Sequence, residues 1–258
     1  MKKYYWRLSR RLCCLLFGLL VLAACKKEDL SCRPYTPPVP SDTYVFPVKP
    51  GTPAWAALQS GAEMVAVCQV PATTLRSMST EGLIATCLDY PLLFDMTLAN
   101  SLQRGARAVM SNFNGFGELQ SRPTAAALLL DRYQRMRAAC LPKADQRGAY
   151  SFTFSYVEMI VAQEEYLNQL SSAQRRVLLQ ETLTKYTDKQ PYTDDVYGIF
   201  GLKTTAFVMA RIMQAERYAP FLTALSTDPA LRVFITDINL QGNPQTLDVV
   251  VNHAKQFN

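Results

Sequence analysis

Histidine is almost missing: the 258 residues contain one, His253. A single histidine excludes a multi-histidine metal centre, an H-E-x-x-H helix and any two-histidine proton relay. No G-x-S-x-G elbow presents a serine for His253 to activate, so a serine hydrolase lacks its nucleophile. No C-x-x-C pair is written either, which removes the usual signatures of zinc binding and dithiol redox work. We therefore expect no metal, no cofactor and no catalytic residues. The apolar run from Leu12 to Ala24 is shorter than the roughly 18 to 20 residues that cross a bilayer as a helix, so a permanent N-terminal span is not expected.

Charge of one sign is also lacking once the N-terminus is considered separately. The formal net charge is +6, from 27 basic and 21 acidic residues. Lys2, Lys3, Arg7, Arg10 and Arg11 precede Cys25 with no acid among them, leaving 22 basic residues against 21 acidic ones. A basic protein would invite nucleic acid as a partner; a nearly neutral one does not.

The N-terminus carries the most specific motif. Basic residues, then an apolar run, then Leu22-Ala23-Ala24-Cys25 make a secretory signal ending in a bacterial lipobox. Residues 1–24 are read as a lipoprotein signal peptide and Cys25 as the lipid attachment site. Two or three acyl chains, each contributing about 0.8 kcal/mol per buried methylene, anchor a protein stably where one chain does not. This implies an outer-membrane lipoprotein on the periplasmic or cell-surface side, in contact with the membrane through its lipid. Lys26-Lys27-Glu28-Asp29 has the form of a surface-export signal and equally that of a plain solvated charge run.

Residues 25–52 are rich in proline: Pro34, Pro37, Pro38, Pro40, Pro47 and Pro50. Such sequence favours extended polyproline II at about 3.1 Å per residue, which predicts a tether reaching roughly 80 Å from the lipid. Residues 53–258 have the length and apolar content of one domain with helical periodicity almost throughout. Thr52-Pro53 predicts a helix start, and the apolar positions carry that helix to Pro71. Ser79 caps a second helix, and Pro91 opens a long third one reaching Asn112. Asn114-Gly115 reads as a turn, a short helix follows, and Arg122-Pro123 leads into TAAALLLDRYQRM as another helix. Later helices are expected at 152–170, 172–188, 195–217, 228–236 and 245–256. The fold class is all-α, a single domain of packed, mostly antiparallel helix pairs, either an irregular bundle or a short HEAT-like array. The alternation in YSFTFSY, Tyr150 to Tyr156, is a strand signal. With no second strand to pair with, it reads as the entry to the following helix, an exposed aromatic row for lipid or sugar being the functional alternative.

Three stretches carry a resemblance. MVAVCQVPATTLRSMSTEGLIATCLDYPLLFDM (Met64 to Met96), SNFNGFGELQSRP (Ser111 to Pro123) and FGLKTTAFVMARIM (Phe200 to Met213) resemble an uncharacterised all-helical lipoprotein family of Bacteroides-type bacteria. The resemblance covers most of the mature chain. It implies a lipoprotein with a helical fold and brings no catalytic residue with it.

Three acids fall on apolar faces at about 100° per residue. Asp95 joins the face of Leu102, Ala106, Val109 and Phe113; Glu164 that of Val157, Ile160, Val161 and Leu167; Glu216 that of Met209, Ile212 and Met213. A carboxylate there must be paired, hydrogen-bonded or protonated. Two of them converging in a cleft would make a glycosidase-like acid and base. The plainer expectation is that each caps a helix or pairs with an arginine. Arg122, Arg132, Arg135, Arg137, Lys143 and Arg147 form a local basic cluster, a solvated face or a seat for an acidic partner or lipid phosphate. Of the seven cysteines, Cys68 and Cys87 read best as buried thiols, while disulfides among Cys32, Cys68, Cys87 and Cys140 are left open. The resulting expectation is a non-enzymatic binding or scaffold lipoprotein with an envelope protein partner. A carboxylate-based hydrolase or glycan-processing enzyme is the alternative.

Overall fold

Side chains that accept backbone N–H groups mark six of the helix starts in the computed structural model, which describes residues 32–257. The signal peptide, Cys25 and the export-like charges lie outside the described residues. Thr52 accepts from the Trp55 N–H and opens α1 (Pro53–Ala56). Ser60 accepts from the Glu63 N–H and opens α2 (Gly61–Val67), while the Glu63 carboxylate reaches back to the Gln59 N–H. This cap splits the one long helix expected before Pro71, because satisfying the first free donors of a new helix stabilises a restart. α3 (Ala72–Ser77), which the sequence reading passed over, follows Pro71. Ser79 caps α4 (Thr80–Leu88) as expected.

The long helix from Pro91 to Asn112 is also broken. Leu93–Leu98 is a 3₁₀ turn, and Ser101 caps a fresh α5 (Leu102–Asn112). Asn114-Gly115 is not a turn but the first residues of α6 (Asn114–Ser121). The Asn114 side chain explains why: it accepts the Val70 N–H at 3.1 Å and donates to the Val70 carbonyl at 2.8 Å, fastening α6 to the link between α2 and α3. α7 (Ala125–Arg135), α8 (Arg147–Val161), α9 (Glu164–Leu167) and α10 (Ser172–Lys189) follow, α10 starting from a reciprocal Ser171–Gln174 capping box. Pro191 cannot donate into the ladder, and the chain passes through a 3₁₀ turn (Gln190–Tyr192) and a π turn (Thr193–Tyr197) before Gly198. At Gly198 φ is +60°, which favours glycine. α11 (Gly198–Ala215), α12 (Ala219–Thr227), α13 (Pro229–Asp237) and α14 (Gln245–Phe257) complete the order, α12 being the second helix missed.

α11 is buried around most of its circumference, with Leu202, Phe207, Met209, Ile212 and Met213 all in the core. It packs against α8, α10, α13 and α14. A helix enclosed by partners that are remote in sequence is the centre of a bundle; in an array each repeat meets only its neighbours. The described body is therefore an all-α domain of the irregular-bundle kind, with no β-strand among the described residues. The apolar window within Ser172–Ala215 is long enough to cross a membrane, and 67% of it is buried within the protein, as a core helix requires.

YSFTFSY lies inside α8. Period two in a helix places alternate residues about 200° apart, so the four aromatics resolve into two i, i+4 pairs on different faces. Tyr150 packs edge-on against the fully buried Phe154, and Phe152 stacks on Tyr156 on the half-buried side.

The proline-rich segment is not a free tether from Pro34 onward. A compact unit begins at Pro34, and residues 34–52 are part of it. Asp42 accepts the Ser79 N–H at 2.6 Å and the Ser79 hydroxyl at 3.1 Å, interactions that hold its carboxyl below the usual range. The Tyr44 N–H donates to Thr86 Oγ1 at 2.9 Å. Phe46 is 1% exposed, ringed by Tyr44, Tyr90 and Phe113. The prolines lower the entropy lost on docking, while the interleaved aromatics supply area to bury; the two together convert a spacer into a strap.

Cys68 and Cys87 are buried free thiols, as expected. Cys32 and Cys140 are both disulfide-bonded.

Candidate functional site

Two polar places stand out, one sealed and one open. The sealed one centres on Glu158 of α8, which the sequence reading did not single out. Lys189, at the end of α10, donates to Glu158 Oε1 at 2.7 Å, and both side chains are 0% exposed. Tyr133 of α7 donates its hydroxyl to the same oxygen at 2.7 Å. Thr204 of α11 donates to Oε2 at 2.6 Å. Lys189 also meets Thr205 Oγ1 at 2.8 Å and the Gly201 carbonyl at 3.2 Å, so its three N–H donors are matched by three acceptors. The rings of Phe154 and Tyr197 lie 5.0 and 5.5 Å from the ammonium. Burial pulls the Lys189 ammonium below its usual range against the opposing pull of Glu158, and pushes the Tyr133 phenol well up.

This arrangement leaves little for chemistry. The carboxylate receives donors on both oxygens, the ammonium has no free proton to direct outward, and no solvent reaches either group. Its physical role is to bring α7, α8, α10 and α11 into one register, because any other packing strands a buried charge.

The three acids on apolar wheel faces have three different surroundings. Asp95 lies on the 3₁₀ turn and is exposed; partial burial raises its carboxyl. Glu164 is the first residue of α9 and lines a small cavity of about 180 Å³ with Arg211 and Gln214. Glu216 caps α11 and pairs with Arg175 of α10 at 2.5 Å, a largely buried bridge of the plainer kind expected. His253 packs against the rings of Tyr218 and Phe221. The basic cluster is partly neutralised, Arg122 by Glu118 at 2.8 Å and Arg135 by Asp131 at 2.7 Å. Among the described residues no three His, Cys, Asp or Glu side chains gather to hold a metal ion.

The open place is a groove of about 520 Å³. One wall is the segment around Thr97 to Leu102, another is the start of α11 with Ile199, Phe200 and Lys203, and the third is the loop from Ile238 to Pro244 between α13 and α14. Ile238, Gln241 and Gly242 in that loop have φ of 53°, 50° and 77°. A β-branched residue there is strained, and Ile238 is held by burial of its side chain. Large apolar side chains surface beside the groove, Leu98 at 71% and Ile199 at 47% exposure. An aromatic cluster continues from it: Phe200 packs on Phe152, and Phe152 on the exposed Phe94.

Lys203 is the unusual group in this groove. Its ammonium lies 5.3 Å from the Phe200 ring. Partial burial pulls it below the usual lysine range with no opposing acid. The one carboxylate in the lining, Asp237, is engaged by Arg104 at 3.3 Å. The sequence carried a faint signal for this place, the aromatic row in YSFTFSY, but nothing that linked it to residues 90 positions away.

No family model, curated protein or solved structure matches the chain.

Proposed function

We propose that the protein is a lipid-anchored envelope protein, attached through Cys25, that works as a non-enzymatic binding or scaffold lipoprotein. The observation supporting the binding half of this reading is the clustering of Phe94, Leu98 and Ile199, three of the large apolar side chains left exposed, around the open groove. Surface apolar side chains gathered beside a concave wall mark an interaction site more readily than scattered ones do. The densest polar cluster, by contrast, is sealed, and Glu216 is engaged by Arg175, so neither offers a free carboxylate pair for a hydrolase.

The docking of the strap changes what the anchor does. Only Lys26 to Arg33 remain between the proposed lipid and the compact unit, a contour of about 25 Å at polyproline spacing. Proteinase treatment of intact host cells, combined with crosslinking and mass spectrometry and a Cys25→Ala control, tests this reading. Digestion on whole cells, or a recurrent envelope partner lost in the control, supports it. A protein that carries no lipid on Cys25 overturns the anchor, and the absence of any partner above the control overturns the scaffold role.

A further inference from the structure

The geometry points to the groove between the start of α11 and the Ile238–Pro244 loop as a binding site for a small organic carboxylate with an apolar body, its anionic head at Lys203. The argument begins with charge. Among the described residues Lys203 is a half-buried cation with no hydrogen bond and no ion pair, while the carboxylate of Asp237, which lines the same groove, is already held by Arg104. A cation drawn partly out of water and left without a partner is a standing cost, which an anionic ligand removes. Arg104 offsets the repulsion that Asp237 would otherwise exert on that ligand.

A side-chain amide also lines the groove. Asn239 Oδ1 accepts the Gln241 N–H at 2.8 Å, which fixes the amide and leaves its N–H₂ group to donate elsewhere. The body of the ligand finds apolar wall in Leu102, Ile199 and Leu240. The groove volume of about 520 Å³ suits a molecule the size of an acylated amino acid. The left-handed residues of the loop fit the same role, since strained backbone held by packing is a recurrent feature of ligand clamps.

This inference deepens the binding reading without resting on the lipid anchor, so a protein found unlipidated at Cys25 leaves it standing. The test uses the full chain in mild detergent, with N-acetyl-L-phenylalanine as the probe and N-acetyl-L-phenylalaninamide as its neutral counterpart, followed by calorimetry and saturation-transfer NMR. The acid is expected to bind about tenfold more tightly than the amide, the size of one hydrogen-bonded charge. Lys203→Gln should erase that preference, and Lys203→Arg should keep most of it. Equal binding of acid and amide, a preference that survives Lys203→Gln, or no binding of the acid at millimolar concentration overturns the site. Both variants change a half-buried residue at the groove wall, and an unchanged melting temperature verifies that their effects are local.

Discussion

Glu158 Oε1 and Lys189 Nζ stand 2.7 Å apart at the meeting point of four helices, with neither side chain exposed. Removing one member leaves the other as an unpaired buried charge. Glu158→Gln and Lys189→Met should each destabilise the protein by about 3–5 kcal/mol. The double variant Glu158→Leu/Lys189→Met should cost clearly less than the sum, since it strands no charge. Urea unfolding of the three variants measures this. Additive losses would mean that the pair contributes through packing alone.

Why Glu158 was passed over and Glu164 chosen has a physical answer. A helical wheel is valid only while the helix continues. α8 ends at Val161, Gln163 is extended, and α9 restarts at Glu164, so the phase carried from Val157 to Leu167 is lost between them. Asp95 failed for the same reason, because the break before Ser101 separates it from Leu102 and Ala106. The helices that sequence made legible are those with an unambiguous cap, at Ser79, Ser171 and Asp228, and those with a clean apolar periodicity, Ala125–Arg135 and Gln245–Phe257. The strap was not legible, since a proline-rich composition is the same whether the segment is solvated or docked. What decides is the partner surface for Phe46, which lies far along the chain. The groove joins residues near 100, 200 and 240, and no local pattern records such a meeting.

The docked strap predicts a specific loss. Phe46→Ala should destabilise the protein by about 3–5 kcal/mol, the usual cost of truncating a buried phenylalanine. It should also make residues 34–52 the first site of limited proteolysis, whereas in the parent protein that segment should resist cleavage. Mass spectrometry of timed digests reads both. Early cleavage of the parent within 34–52 would return that segment to the status of a tether.

Two glycines should respond with opposite signs. A Cβ at Gly105 of α5 would press into the Met96 carbonyl, with its carbon 2.9 Å away, and backbone cannot swing aside. Gly105→Ala should therefore cost about 3 kcal/mol, at the upper end of overpacking. Gly117, in α6 and exposed, has nothing within 4 Å of its would-be Cβ. Gly117→Ala should stabilise by about 0.5–1 kcal/mol through the helix preference of alanine. Thermal melts of the two variants compare them directly, and a Gly105→Ala protein as stable as its parent would contradict the close approach of α5 to the 3₁₀ turn.

Alkaline pH should unfold the protein through its tyrosines. Burial raises the phenols of Tyr90, Tyr133, Tyr166 and Tyr197 well above their ordinary value of 10.0, and Tyr150 is pushed up to about 12. A group raised in the folded state binds its proton more tightly there, so its contribution is intact below pH 10.0 and is lost as the unfolded phenols ionise above it. Lys189 and Lys203 act in the opposite sense. Their lowered values make the unfolded chain the better proton binder below 10.5, and stability gained from them rises with pH up to that point. Five phenols outweigh two lysines above about pH 10.5, where the lysine contribution has levelled off. Stability should consequently hold to near pH 10 and then fall steeply. Phenolate absorbance of these tyrosines should appear together with the loss of helical circular dichroism. Smooth titration of every tyrosine with the helices intact would show that these phenols are not held in the core.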